Sequence, residues 1–327
     1  MKLLLVGDLI GNTGPASVNR SLKKYLPKNT LYLKSTGKLF RVLELLIKIN
    51  QADAVLFSGM SKINIIGFKL SRLLGKKSAY LMHGSRRYEA ILNQNFNKKS
   101  VEVEDEVLKL APKIICVSEY FMNWFKKNYP EYKDKVTYVN NGIDWDLMPV
   151  DKTSTYRDRN TLISVGGGMP RKNILSICHA INKLNQEDNL KLKLIVIGQK
   201  GKDTDAIISY PFVEYYEQVK SEEMPQYYQR AQIYIQNSIF ETFGLAPVEA
   251  LINGCDLLIS NEVGAKSVFS NLTDNDIIYN PYDINELSNK IKALLTKSNN
   301  KRLINSINKK ETSVSSSVNK IIKILQE

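Results

Sequence analysis

The chain has 327 residues, more than one ordinary domain of ~100–200 residues and suited to two α/β domains of roughly 150 each. With 43% hydrophobic and 24% charged residues, it has enough apolar side chains for real cores, which excludes disorder as the default state. The net charge of +13 is uneven: residues 1–150 hold 24 Lys+Arg against 13 Asp+Glu, or +11, whereas residues 151–327 hold 22 against 20, or +2. A basic first half suits nucleic acid, an anionic membrane surface or a phosphorylated substrate, and it also accompanies any Lys/Asn/Ile-rich composition. No helix-turn-helix, zinc-finger or RNP-like pattern goes with the charge, so nucleic acid is not expected as a partner. Cys116, Cys178 and Cys255 lack metal-ligand or disulfide-framework spacing and read as reduced, mostly buried thiols.

The opening MKLLLVGDLIGN is apolar, but Asp8 interrupts it before signal-peptide length, so it reads as a buried first strand. No stretch reaches the ~18 uninterrupted apolar residues of a membrane span, and a cytoplasmic location is expected. Strands are predicted at 2–8, 30–34, 54–59, 78–84, 113–119 and 136–142, mostly separated by helix-period segments, the signature of a parallel α/β sheet. Within 38–49, Leu39, Val42, Leu43 and Leu46 stand at i, i+3, i+4 and i+7, which predicts a helix laid with that stripe on the sheet; an interfacial membrane helix is the alternative. Polar residues 151–160 read as a linker. A second strand series follows at 161–167, 191–198, 212–219, 233–238, 256–260 and 276–280, and a helical pattern over 302–325 closes the chain. The expected organisation is one Rossmann-like domain over 1–150 and another over 151–327 that includes the terminal helix.

The strongest chemical signal is SIFETFGLAPVEAL (238–251), where Glu241 and Glu249 stand eight apart around a Phe-Gly turn. Gly244 permits close backbone approach, and Pro247 suits the first turn of a helix. A diphosphate could sit on that helix start, with Glu249 in reach of ribose hydroxyls; the plain alternative is a strand-turn-helix with two surface glutamates. The loop GDLIGNTGPASVN (7–19) carries glycines but is no dinucleotide fingerprint. His83 ends the predicted strand 78–84, where open α/β sheets place their ligands, while His179 reads as structural. Asp144-Trp-Asp146 mimics a metal-binding Asp-x-Asp, but its linker-like setting makes it a decoy, and no metal is expected.

The stretch 238–251 resembles the E-x7-E signature of retaining glycosyltransferase family 4, and the resemblance extends outward from it. SEEMPQYYQRAQIYIQNSIFETFG (221–244) is similar to the run that leads into the motif, EALINGCDLLISNEVGA (249–265) to the run that leaves it, with Asp256 where proline is usual. SVGGGMPRKN (164–173) is similar to the family's VGR-x-x-x-x-KG turn, and VNNGIDWDLMPV (139–150) to its PNG[VI]D segment. The match is specific over most of 113–295 and looser before it.

The resemblance implies a GT-B fold: two Rossmann-like domains facing across a cleft, the first for the acceptor, the second for the nucleotide sugar, with the terminal helix packing back on the first. It implies transfer of a sugar with retention, without metal or cofactor, from a nucleotide diphosphate sugar of UDP type. The expected acceptor is a lipid-linked glycan of bacterial surface polysaccharide assembly, reached by peripheral contact with an anionic membrane. It places Lys172 on the donor diphosphate, Glu249 on the ribose, Glu241 beside the transferred sugar, the backbone of Phe243, Gly244 and Leu245 around the phosphates, and that of Glu217, Gln218 and Val219 at the base. His83 falls on the histidine near the sugar, and Gly11, Thr13 and Gly14 on the loop facing diphosphate and acceptor. One departure stands out: Gly167 occupies the place of the family's arginine, and Arg171 is expected to reach back across Gly166–Gly168 as the substitute cation. A nucleotide-sugar 2-epimerase on the same fold and a non-catalytic pseudo-transferase are the alternatives.

Overall fold

The computed structural model describes residues 1–11, 13–35, 37–145 and 157–327. The boundary at 150/151 and most of the predicted linker lie outside the described residues; the last three linker residues already belong to a strand. The chain divides into two compact units, 1–90 with 96–144 and 309–327, and 91–95 with 145–308.

In the first unit, six parallel strands, β1 (Leu3–Val6), β2 (Leu31–Tyr32), β3 (Ala54–Ser58), β4 (Lys77–Met82), β5 (Ile114–Cys116) and β6 (Val136–Tyr138), form a sheet in the order β2-β1-β3-β4-β5-β6. β1 and β3 are buried from end to end, as their unbroken apolar runs require in a sheet covered on both faces. The order reverses between β1 and β3, which creates a switch point there. The helices are α1 (Gly14–Tyr25), α2 (Lys38–Gln51), α3 (Lys62–Leu73), α4 (Arg86–Leu92), α5 (Lys98–Leu110) and α6 (Glu119–Asn128). α2 packs against α3, and α3 against α5.

α2 is oriented against expectation. It buries Leu45 and Ile49, whereas Leu39, Leu43 and Leu46, three of the four residues in the predicted core stripe, face solvent. The helix carries apolar residues on two opposite faces, and a 3.6-residue period cannot tell which of them meets the sheet.

The second unit repeats the plan with β7 (Asp158–Val165), β8 (Lys193–Ile197), β9 (Val213–Tyr216), β10 (Ala231–Gln236), β11 (Asp256–Ser260) and β12 (Ile277–Ile278), in the order β12-β11-β10-β7-β8-β9. Its helices are α7 (Ile174–Glu187), α8 (Thr204–Ile208), α9 (Met224–Arg230), α10 (Ala246–Ile252), α11 (Ile284–Thr296) and α12 (Asn300–Asn305). The switch point lies between β7 and β10. Asp256, which replaces the usual proline, is buried and accepts the backbone N–H groups of Asn299 (2.8 Å) and Asn300 (3.0 Å), so it fixes the start of α12.

The predicted 302–325 helix is three pieces: the end of α12, then α13 (Lys309–Thr312) and α14 (Val314–Gln326). The last two belong to the first unit, where α14 lies against α1, β3 and β4. A close backbone contact docks it: the Ile143 N–H donates to the Thr312 carbonyl (2.8 Å), and a Cβ at Gly142 would lie 2.3 Å from Val314 Cα. The glycine of the NNGID segment is therefore needed for the terminal helix to approach.

Candidate functional site

In both sheets the candidate residues lie beyond the carboxyl ends of strands, after β1 and β4 in the first unit and after β7, β9 and β10 in the second. In the second unit, the chain leaving β7 passes through Gly166, Gly167 and Gly168 into a single helical turn, Pro170–Lys172. The Gly167 backbone is left-handed (φ 58°), and a Cβ there would lie 2.1 Å from the Gln199 carbonyl oxygen. The turns after β7 and β8 thus pack backbone to backbone, and no arginine fits at position 167. Lys172, rather than Arg171, crosses the opened space: a Cβ at Gly166 would strike the Lys172 side chain.

Both cations end on one carboxylate. Lys172 Nζ is ion-paired with Glu241 Oε2, and Arg171 Nη1 lies 3.3 Å from the same oxygen. The route expected for Arg171 across the glycine turn is therefore corrected: the short turn directs Arg171 toward the loop after β10, where its carbonyl also accepts the Ile239 N–H (2.9 Å). Burial would raise the Glu241 pKa, but the charges of Lys172 and Arg171 outweigh it and lower it to about 2. The loop is anchored on its far side by the Glu241 N–H to the Glu262 carbonyl and by the Gly264 N–H to the Glu241 carbonyl (both 2.9 Å).

Phe243 is buried as a wedge, with its carbonyl accepting the Ala265 N–H (2.8 Å), and Gly244 turns the chain at φ 85°. α10 then begins after Leu245 with no side-chain cap and with Pro247 in its first turn, which agrees with the sequence. Glu249 lies in that first turn, half-buried, accepting a hydrogen bond from the buried Tyr228 hydroxyl (3.2 Å). Burial raises its pKa, with the Tyr228 bond opposing. Glu241 is thus compensated by two cations, while Glu249 receives a neutral donor. Gln218 and Val219 follow β9, Gln218 exposed, at the same carboxyl edge.

The first unit has a different edge. Asp8, just after β1, accepts the N–H groups of Ile10 (2.9 Å) and Gly11 (3.0 Å), the Gly11 carbonyl accepts from Arg20 (2.7 Å), and Thr13 caps α1 by accepting the Ala16 N–H (3.3 Å). The polar groups of Gly11 and Thr13 are thus engaged within the loop, and Gly14 opens α1 in uncrowded space.

His83, directly after β4, has Nε2 2.8 Å from Ser58 Oγ at the end of β3. Ser58 Oγ in turn meets Asn19 Oδ1, and Asn19 Nδ2 donates to the Asp8 carbonyl (2.9 Å). A carbonyl only accepts, so the Asn19 amide orientation is fixed and Ser58 must donate to Oδ1. Ser58 has one hydrogen, so it accepts from His83, which places the ring proton on Nε2 and the lone pair on Nδ1. Burial lowers the His83 pKa to about 4, and the ring is neutral. Sequence reading missed Ser58 and Asn19; the only signal was a small polar residue at the end of an apolar strand.

The remaining motif residues have structural places. Asp144 pairs with Lys24 (3.0 Å) and accepts from the Tyr25 hydroxyl (3.3 Å), while Asp146 lies outside the described residues. His179 is exposed and bonded to the Tyr210 hydroxyl (2.9 Å), and the three cysteines are free and buried. Among the described residues, no group of three or more His, Cys, Asp or Glu side chains is placed to hold a metal, and no helix is long and apolar enough to cross a membrane.

Residues 150–311 match the family described as glycosyl transferases group 1, and residues 11–147 match glycosyltransferase family 4. An uncharacterized 41.2 kDa protein of the cps region of Klebsiella pneumoniae is 22% identical over 77% of this chain and 74% of its own length. The O-antigen chain mannosyltransferase B of Escherichia coli is 24% identical over 56% of this chain, which spans about half (51%) of that relative. Anabaena Alr3699/HepE, solved with UDP and glucose, superposes over 100% of both chains with a TM-score of 0.73 at 14% identity, a likeness of fold.

Proposed function

This chain belongs to the family 4 glycosyltransferases of GT-B fold, and we propose that it transfers a sugar, with retention and without metal, from a nucleotide diphosphate donor of UDP type to a lipid-linked glycan in surface polysaccharide assembly. One observation carries the donor assignment: Lys172 and Arg171 converge on Glu241 beside the Gly244 turn, with Glu249 one turn into the following helix. A diphosphate is the ligand part that needs two cations. The turn supplies backbone N–H groups at Gly244 and Leu245, and the half-buried Glu249 carboxylate is a strong acceptor for ribose hydroxyls. Gln218 and Val219 take the base.

Among the described residues of the second unit, Glu241 is ion-paired to both cations and Glu249 accepts from the Tyr228 hydroxyl, so neither carboxylate of the motif is poised as a nucleophile. This favours front-side displacement: the bond from the anomeric carbon to the diphosphate oxygen breaks while the acceptor oxygen bonds on the same face. The acceptor's proton passes to the departing phosphate oxygen, and Lys172 and Arg171 stabilise the charge that develops there. Glu241 holds the two ammonium and guanidinium groups in place and lies beside the sugar. On the first unit, neutral His83 faces the sugar hydroxyls, and the loop with Gly11, Thr13 and Gly14 serves the acceptor.

The O-antigen and cps-region relatives support the surface-polysaccharide context, and the UDP-bound neighbour supports the donor type. A thermal-shift screen with UDP, GDP, dTDP and ADP tests the donor, because a ligand of the folded state raises its melting temperature. UDP is expected to give the largest shift. Transfer that survives EDTA is expected; recovery only with manganese would overturn the metal-free assignment. Epimerised product from donor alone, without an acceptor, would replace transfer by epimerisation.

A further inference from the structure

The outward face of α2 is an anomaly for a protein surface. Its inward face is satisfied by Leu45 and Ile49, both fully buried. Opposite them, Leu39 and Phe40 (each 70% exposed), Leu43 (49%), Leu46 (42%) and Ile47 (58%) stand at i, i+1, i+4, i+7 and i+8, one continuous apolar strip along the helix. Isolated exposed leucines are ordinary, but five large apolar side chains on one helical face are not. On α3, which packs against α2, Leu73 (80%) and Ile66 are exposed as well.

The charge around this face is one-sided. From residue 34 to residue 77 the chain holds nine Lys and Arg against two acids, Glu44 and Asp53. Glu44 is already neutralised by Lys48, and its carboxylate also accepts the Lys34 and Ser35 N–H groups. Lys34, Lys38, Lys62 and Arg72 are exposed, while the exposed Lys69 pairs with Glu106 of α5 (3.4 Å).

We infer that the outer face of α2, rimmed by these cations, docks on an anionic lipid surface, with Phe40 and the leucines entering the boundary between headgroups and acyl chains. A second copy of the chain is the other apolar partner on offer, but a two-fold interface would set this basic segment against itself, and like charges would oppose it. Anionic headgroups neutralise the cations while the acyl boundary takes the apolar strip. The inference rests on the lipid-linked acceptor proposed above, which would bring the chain to a membrane, and gives that contact a surface, but it does not depend on the sugar chemistry.

The test is co-sedimentation of the full chain with phosphatidylcholine vesicles and with vesicles that also contain phosphatidylglycerol. The protein is expected to bind the anionic vesicles and to release as salt is raised. Replacing Phe40→Ser and Leu43→Ser together should lower partitioning roughly tenfold or more, because apolar area lost from the interface weakens binding in proportion. Both residues are exposed, so the melting temperature should not fall. An environment-sensitive dye on Leu43→Cys should shift to the blue with anionic vesicles, while the same dye on Lys301→Cys should not. Salt-sensitive binding that is unchanged in the double variant, or no binding at all, would overturn the assignment. So would a dimer, without vesicles, that the double variant dissociates. Nucleotide binding by calorimetry should be untouched by the serine substitutions. Vesicle binding without nucleotide binding would count only against the sugar-transfer reading.

Discussion

The two sheets present the same edge built from opposite materials. Beyond β7 and β10, the second unit gathers formal charge: Lys172 and Arg171 on Glu241, with Glu249 nearby in sequence. Beyond β1, β3 and β4, the first unit gathers a neutral chain, His83 to Ser58 to Asn19 to the Asp8 carbonyl, whose histidine is kept uncharged by burial. Charges that stay paired until a charged ligand arrives suit a diphosphate. A neutral hydrogen-bond chain with a fixed tautomer suits hydroxyl groups, which need direction more than field strength.

Breaking the charged edge should have the largest effect. Lys172→Ala is expected to lower kcat/KM roughly 10²–10³-fold, the loss seen when one preorganised group that stabilises developing charge is removed. Arg171→Ala should fall nearly as far, and the double variant should be less than additive, because both act on one site. Wild-type kinetics for Arg171→Ala would return that side chain to the role of a surface charge. Glu249→Ala should weaken nucleotide binding by about 1–3 kcal/mol in calorimetry, the usual range when a hydrogen-bonding partner is lost. Unchanged affinity would remove Glu249 from the ribose.

The neutral edge should respond more gently. Ser58→Ala leaves the His83 ring without its acceptor, and is expected to lower kcat/KM by roughly fivefold, about 1 kcal/mol. Nucleotide affinity should stay the same, and Ser58→Thr should recover most of the loss. An effect on nucleotide affinity instead would mean that the first unit's chain supports the fold rather than the sugar. A separate effect falls on stability against pH. His83 is held at about 4, below the ordinary ~6.5, so the unfolded chain takes up the proton first as pH falls. Stability is then complete above about pH 6.5 and declines toward pH 4. His83→Gln should flatten that part of a melting-temperature profile.

The contrast also explains what the sequence discloses. All twelve strands among the described residues are legible, because a parallel sheet covered on both faces needs unbroken apolar runs such as LLLV at 3–6 and DLLIS at 256–260. The charged edge is legible too, since its residues cluster in two short segments, 164–173 and 238–251. The direction of Arg171 was not, because it depends on a left-handed glycine turn packed on the loop after β8. The neutral edge draws Asn19, Ser58 and His83 from three segments, and one small polar residue at a strand end gives no local pattern. The outward face of α2 stayed hidden for another reason: apolar residues on both sides of a helix leave its orientation to the tertiary structure.

The most direct test of the account compares nucleotide diphosphates with the matching monophosphates by calorimetry, on the wild type and on Lys172→Ala. The wild type should bind UDP more tightly than UMP by about 1.5–3 kcal/mol, the worth of a charge-assisted contact to the second phosphate, and Lys172→Ala should lose most of that difference. Equal binding of UDP and UMP in both proteins would show that the cations on Glu241 do not hold a diphosphate, and would contradict the account.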